Sequence, residues 1–203
     1  MKLPFIFLVL LFIELVPLWP VTPNPTPVLP PVKRVAQAPK AAEVIALDLI
    51  RRQQYAEAIT RLEQILESNP NNGEALTYLA TANLYNDLNF SKAKKEFEKA
   101  FKAGGGATFF VSHSHEKLST DEIVDYCRGW LHLRKGSVEF IPIEGNHGFK
   151  VQLTEVVEFK QNRFSKTVFH IKVGEKNQNF RGRSVSELEP LLILAVYKNL
   201  ALN

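Results

Sequence analysis

His113-x-His115 is the first pattern in this chain that could do chemistry. On an extended strand, residues two apart stand on one face, so the pair could offer two imidazoles to a metal. The other three histidines, His132, His147 and His170, lie in the same C-terminal half. No carboxylate or thiol stands at ligand spacing from the pair, and Glu116 or His147 could join it only through the fold. The sequence by itself therefore predicts no metal site. Ser112, Ser114 and Ser119 sit near these histidines but lack the nucleophile elbow and oxyanion glycines of a hydrolase. Gly104-Gly105-Gly106 lacks the lysine, the spacing and the preceding strand of a phosphate loop, and reads as a helix stop and hinge. Cys127 is the single cysteine. It excludes an intrachain disulfide, has only Arg128 beside it as an activating group, and reads as a small buried hydrophobe. No catalytic residue and no cofactor are expected, so the chain is read as a non-enzyme.

The basic residues are the other chemical signal. Between Gly145 and Arg183 there are eight lysines and arginines against three glutamates, in a chain of net charge +4. Lys160, Arg163, Lys166, Arg181 and Arg183 would form a basic patch if their loops are neighbours. Near an anionic membrane each is worth about 1 kcal/mol, so they matter only when clustered. Nucleic acid is not an expected partner, because few exposed aromatics accompany these charges to stack bases.

These residues must be positioned by something, and composition bounds what. The chain has 203 residues, 45% apolar and 23% charged, which is globular and excludes a wholly disordered protein. Of the twelve prolines, eight fall between positions 17 and 39. Residues 1–18 begin MKLPFIFLVLLFIELV, a lysine followed by an apolar run too short for the roughly 30 Å hydrocarbon core. They read as a signal peptide or a membrane anchor. Residues 19–40 form a proline-rich linker, since proline fixes φ and removes a donor. The folded part is thus expected on the outside of a membrane, tethered or released.

From 41 to 103 the apolar period is helical. Ala42, Ile45, Ala46 and Leu49, then Ala58, Leu62, Ile65 and Leu66, recur one turn apart. Leu76, Leu79, Ala80 and Asn83 mark a third helix, and Ala93, Phe97, Ala100 and Phe101 a fourth. The stretch Tyr55-Ala56-Glu57-Ala58-Ile59 with Leu62, Ile65, Leu66 and Pro70-Asn71-Asn72 resembles the second half of a tetratricopeptide repeat. In the next copy Leu79-Ala80 stands where that family carries Leu-Gly, followed by Ala93, Phe97 and Ala100. The resemblance implies two helical hairpins and a peptide-binding groove lined by the first helix of each. Leu49, Arg52, Tyr78, Asn83 and Asn86 are the candidate groove residues. Two units are too few to stand alone, so a cap is needed from the following domain, a second copy of the chain, or a bound partner.

Residues 107–203 turn to short alternating β-branched and aromatic runs. Strands are expected over Ala107–Ser112, Tyr126–Leu133, Ser137–Ile141, Phe149–Leu153, Val156–Phe159, Thr167–Val173 and Asn179–Arg181. Ser186-Glu187-Leu188-Glu189 reads as a capping box opening a last helix with a stripe of Leu188, Leu191, Leu192, Ala195 and Val196. This element order resembles the pleckstrin-homology-like superfold, and the Gly129–Phe140 hairpin is similar to the start of the related GRAM modules. The expected fold class is α+β: two helical hairpins followed by a small β-barrel or sandwich closed by a C-terminal helix. The function that follows is a protein–protein interaction adaptor, exported or membrane-tethered. Its alternative is a lipid- or ligand-binding β-module with the helices as spacer.

Overall fold

The computed structural model describes residues 41–115 and 126–202. The expected signal or anchor and the proline-rich linker lie outside the described residues. Ala38–Asn203 form one compact unit. Four helices come first: α1 (Ala41–Arg51), α2 (Tyr55–Ser68), α3 (Gly73–Asp87) and α4 (Phe90–Lys102). Seven strands follow, β1 (Gly106–Ser114), β2 (Tyr126–Arg134), β3 (Ser137–Pro142), β4 (Phe149–Gln152), β5 (Val156–Gln161), β6 (Val168–Val173) and β7 (Lys176–Gly182). Helix α5 (Leu188–Leu202) ends the fold, making it α+β as expected.

Consecutive helices pack as hairpins, and α1 also touches α3. The joints use the chemistry the sequence offers. Asn72 caps α3 by accepting the Ala75 N–H at 3.1 Å, and its amide donates to the buried Glu43 of α1. Leu88 ends α3 in the left-handed region at φ 50°, and Asn89 caps α4 through the Lys92 N–H. Ala46, Ala58, Ala93 and Ala100 are buried, and their small side chains let the helices approach closely. Gly104, at φ +80°, stops α4. The expected hinge is not there. A Cβ on Gly105 would collide with the Gly73 carbonyl oxygen and Thr77, so this backbone is wedged tightly against α3.

The strands form one antiparallel sheet in the order β4-β3-β2-β1-β7-β6-β5. Central β1 pairs along its whole length with β2, but with β7 only over Val111–Ser114. Its first half would leave buried backbone groups open on that edge. Helix α3 takes them. Thr77 Oγ1 accepts the Gly106 N–H at 2.8 Å, Thr81 Oγ1 lies 3.0 Å from the Thr108 carbonyl, and Tyr85 OH accepts the Phe110 N–H at 2.6 Å. Four residues along a helix advance about 6 Å and two along a strand about 6.6 Å, so the two ladders stay in step for three rungs. Glu74 of α3 adds a two-pronged ion pair with Arg134 of β2, at 2.7 and 2.8 Å.

Phe109, Leu131, Leu133, Phe140, Phe169, Ile171 and Phe180 are buried in one hydrophobic core, with Phe109 against Phe97 of α4 at 5.1 Å and Phe159 against Tyr197 of α5 at 4.3 Å. Helix α5 packs on β5, β2 and β7, strands far apart in the sheet order, so the sheet must curve around it. Its buried face is Glu189, Leu192, Ile193 and Val196, while Leu188 and Leu191 are about half exposed. This corrects the expected stripe. The helix is apolar on nearly every side, and a buried carboxylate decides its rotation: Glu189 accepts the Tyr85 hydroxyl at 3.1 Å and the Ser184 N–H at 2.6 Å. The capping box is therefore not closed by Glu189; Ser186 Oγ alone accepts the Leu188 N–H.

Thr81→Val keeps the shape of the side chain but removes the hydroxyl shared between the Thr77 and Thr108 carbonyls, at 2.9 and 3.0 Å. A loss of about 1–3 kcal/mol is expected in urea denaturation. His132, bonded to Thr108 Oγ1 at 2.9 Å, supplies a pH test. Burial, then Arg134, pushes its pKa from 6.5 down to about 4. Between those values the unfolded chain binds a proton that the folded chain does not. Stability is therefore complete above about pH 6.5 and falls as the pH drops toward 4, by about 2 kcal/mol at pH 5. Comparing denaturation midpoints of wild type and His132→Gln near pH 7 and pH 5 checks this; the variant should lose less on acidification.

Candidate functional site

The expected groove residues do not line one open surface. Leu49 and Tyr78 are buried. The Tyr78 hydroxyl donates to Glu74 at 2.5 Å, and burial followed by that carboxylate raises its pKa. Arg52 is exposed and pairs with Asp48 at 2.9 Å. Asn83 donates to Glu96 at 2.9 Å, joining α3 to α4, and Asn86 donates to Asp87 at the exposed end of α3. The side of α3 that carries Thr77, Thr81 and Tyr85 is occupied by the chain's own β1.

The basic residues converge better. Val168 is opposite Arg181 across β6 and β7, which brings the β5–β6 turn beside the end of β7. Their side chains then divide. Lys160 pairs with Glu158 at 2.6 Å, and Arg181 lies over the Tyr126 ring at 5.6 Å. Arg183 turns to the helices: its guanidinium lies over Tyr55, Tyr85 and Phe110 and donates to Tyr55 OH and, at 2.9 Å, to Gln53. Arg163 and Lys166 remain exposed on the turn, flanking Phe164, which is 94% exposed. Asn162 Oδ1 accepts the N–H groups of Phe164 and Ser165 and holds that turn in shape.

A third group was not assembled from the sequence. The β1–β2 register places His113 directly opposite Cys127. His115 follows β1, and His147 comes in on the β3–β4 loop. Cys127 Sγ lies 2.6 Å from His147 Nε2 and 3.8 Å from His113 Nδ1, and His115 Nε2 is 3.0 Å from His147 Nε2. One donor atom from each of the four lies within 4.8 Å of the others. His113 Nε2 is 2.8 Å from Gln178 Oε1 on β7. An amide oxygen can only accept, so Nε2 carries the proton and Nδ1 presents its lone pair to the cluster. Burial lowers the His113 pKa, against the Gln178 contact, which raises it. The loop that delivers His147 is held by the Ile143 N–H donating to the Arg128 carbonyl at 2.8 Å. It turns at Gly145, φ +85°, where a Cβ would press on the His147 ring at 2.8 Å. His113 is buried, Cys127 and His147 are half-buried and His115 is exposed, so the group sits at the rim of the core. The strand pairing is the signal that finds Cys127; nothing local in the sequence marks His147.

No family description matches the chain, and no curated protein does. Solved structures with a similar outline include the N-terminal PH domain of human ARAP2, at 11% identity and TM-score 0.37 over 48% of this chain and 79% of that one. Another is Inner Membrane Complex Sub-compartment Protein 3 from Toxoplasma gondii, at 12% identity and TM-score 0.33 over 56% and 83%. A third is the linker-DH/PH region of p115-RhoGEF, at 9% identity and TM-score 0.35 over 75% and 55%. Each is a likeness of outline alone, at 9–12% identity, and assigns the chain no function.

Proposed function

We propose that this chain is a non-enzymatic protein–protein interaction adaptor, exported or held at a membrane by residues 1–18 through the linker of residues 19–40. The tetratricopeptide-like helices are read as its recognition part. The observation that carries the reading is an asymmetry between the two ends of the helical stack. The far end is covered by β1 on α3 and by α5 on α4. At the near end, α1 leaves Val44 53% and Ile45 45% exposed on one side. A stack of helical hairpins completes an unfinished apolar end by adding another helix, so the partner is read as a protein contributing a helix along α1, rather than a peptide lying beside α3. Removing the helices wholesale would uncover the β1 edge, so point substitutions are the cleaner test. Val44→Glu with Ile45→Glu should reduce co-purification of the partners recovered by the wild-type chain at least tenfold, with an unchanged denaturation midpoint. An unchanged partner set would refute the reading.

A membrane-facing role for the sheet is the second reading, and Phe164 favours it. A fully exposed aromatic between Arg163 and Lys166, on a turn held by Asn162, combines an apolar tip with cationic flanks. Such a tip suits an anionic lipid surface. The compact unit beginning at Ala38 should then sediment with phosphatidylserine vesicles in a salt-sensitive way, and Phe164→Ser should weaken that several-fold. Equal sedimentation of both proteins would remove this reading.

A further inference from the structure

We propose that His113, His115, Cys127 and His147 form a tetrahedral site for a zinc-class divalent cation. The first argument is the donor set. Three imidazoles and one thiol converge from three separate segments, and among the described residues no carboxylate contributes a donor to the group. Nitrogen and sulfur donors suit zinc and disfavour magnesium or calcium, which take oxygen. The second is geometry. With Zn–S near 2.3 Å and Zn–N near 2.0–2.1 Å, tetrahedral ligands stand about 3.3–3.6 Å apart. The distances of 2.6, 3.0 and 3.8 Å within the cluster bracket that value. Small side-chain rotations bring four donors onto one centre.

The third argument lies in what surrounds the donors. A metal-ligating histidine characteristically donates its other ring N–H to an outer partner, which fixes tautomer and orientation. His113 does this with Gln178, and the ring is further held between Phe140 and Phe180, at 5.1 and 4.9 Å. Gly145 leaves open the space that the His147 ring occupies. All four positions are filled by protein, so the site is closed: a structural or storage centre with no vacant position for a substrate. Bound there, the cation fastens the β3–β4 loop to the ends of β1 and β2. The inference stands apart from the adaptor reading, since either could fail without the other.

The test uses the full chain, purified with chelator and then loaded. Zinc should bind at one equivalent per chain and raise the midpoint of thermal unfolding. Cobalt(II) in its place should show an intense thiolate-to-metal absorption that is absent in Cys127→Ser. His115→Ala, at an exposed position, should weaken zinc affinity at least tenfold while the apo protein keeps its circular dichroism, so loss of binding is not loss of fold. Gln178→Leu should weaken it about 10–100-fold through His113, whereas His170→Ala should change nothing. Zinc binding below a tenth of an equivalent, cobalt without a thiolate band, or affinity indifferent to His115→Ala and Cys127→Ser would each overturn the proposal. Stoichiometric binding of copper but not zinc would overturn the assignment of the metal.

Discussion

The fold depends on how the inner edge of β1 is satisfied. A central strand paired on only half of one side would leave amide and carbonyl groups unbonded in the core, each at a cost of roughly 1–3 kcal/mol. Here a helix stands in for a strand. Thr77, Thr81 and Tyr85, four residues apart on α3, meet Gly106, Thr108 and Phe110, two residues apart on β1. The near-equality of a helical turn and a strand dipeptide permits this for only a few rungs, and then β7 takes over at Val111. One consequence reaches both halves of the chain. The helices cannot be a detachable spacer, because their removal would strip hydrogen bonds from the centre of the sheet. Nor can the sheet be a mere appendage, since it supplies the surface that two hairpins lack.

The last rung extends into a buried polar link. Tyr85 accepts from β1 and donates to Glu189, which also receives the Ser184 N–H and so fixes the start of α5. Burial holds the Glu189 carboxyl above its ordinary pKa against those donors, and Tyr85 is raised as well, by burial first and by that carboxylate next. Arg183 closes the same corner from outside by covering Tyr55, Tyr85 and Phe110. Helices, sheet and terminal helix therefore meet at one hydrogen-bonded corner. A residue that counted in the sequence as surface charge, Arg183, becomes part of the joint.

Local patterns were legible where one face of an element meets one environment. The hairpin helices, the turn at Asn72 and the strand alternation around Phe169 and Ile171 could be read because apolar spacing and cap chemistry are near-neighbour properties. Features set by distant contacts could not. Helix α3 is buried on nearly all sides, so its periodicity could not tell a groove face holding Tyr78 from a face committed to β1. Helix α5 is apolar all round, and only the Glu189 contact decides that Leu188 and Leu191 turn outward. Gly105 looked like a hinge residue because close packing against Gly73, about thirty positions away, leaves no mark on the local sequence. β1 also runs further than expected, through Ser114, and that extension carries His113 into register with Cys127.

That register explains why the cluster at the rim leaves no local mark in the sequence. A histidine pair on one strand is common and by itself weak. It becomes specific when the partner strand places a thiol opposite one member and a loop turned at a left-handed glycine delivers a third imidazole. The same strand whose first half needs α3 has a second half that needs β7, and Gln178 of β7 orients the His113 ring. The divided pairing of β1 thus does two things: its first half ties the sheet to the helices, and its second half aligns the donors beyond them. Because the ligand geometry rests on β-ladders rather than on loops alone, three of the five residues involved (His113, Cys127 and Gln178) are held by backbone pairing before any cation arrives. His115 and His147 lie outside the ladders, so a cation bound there would order the end of β1 and the β3–β4 loop most.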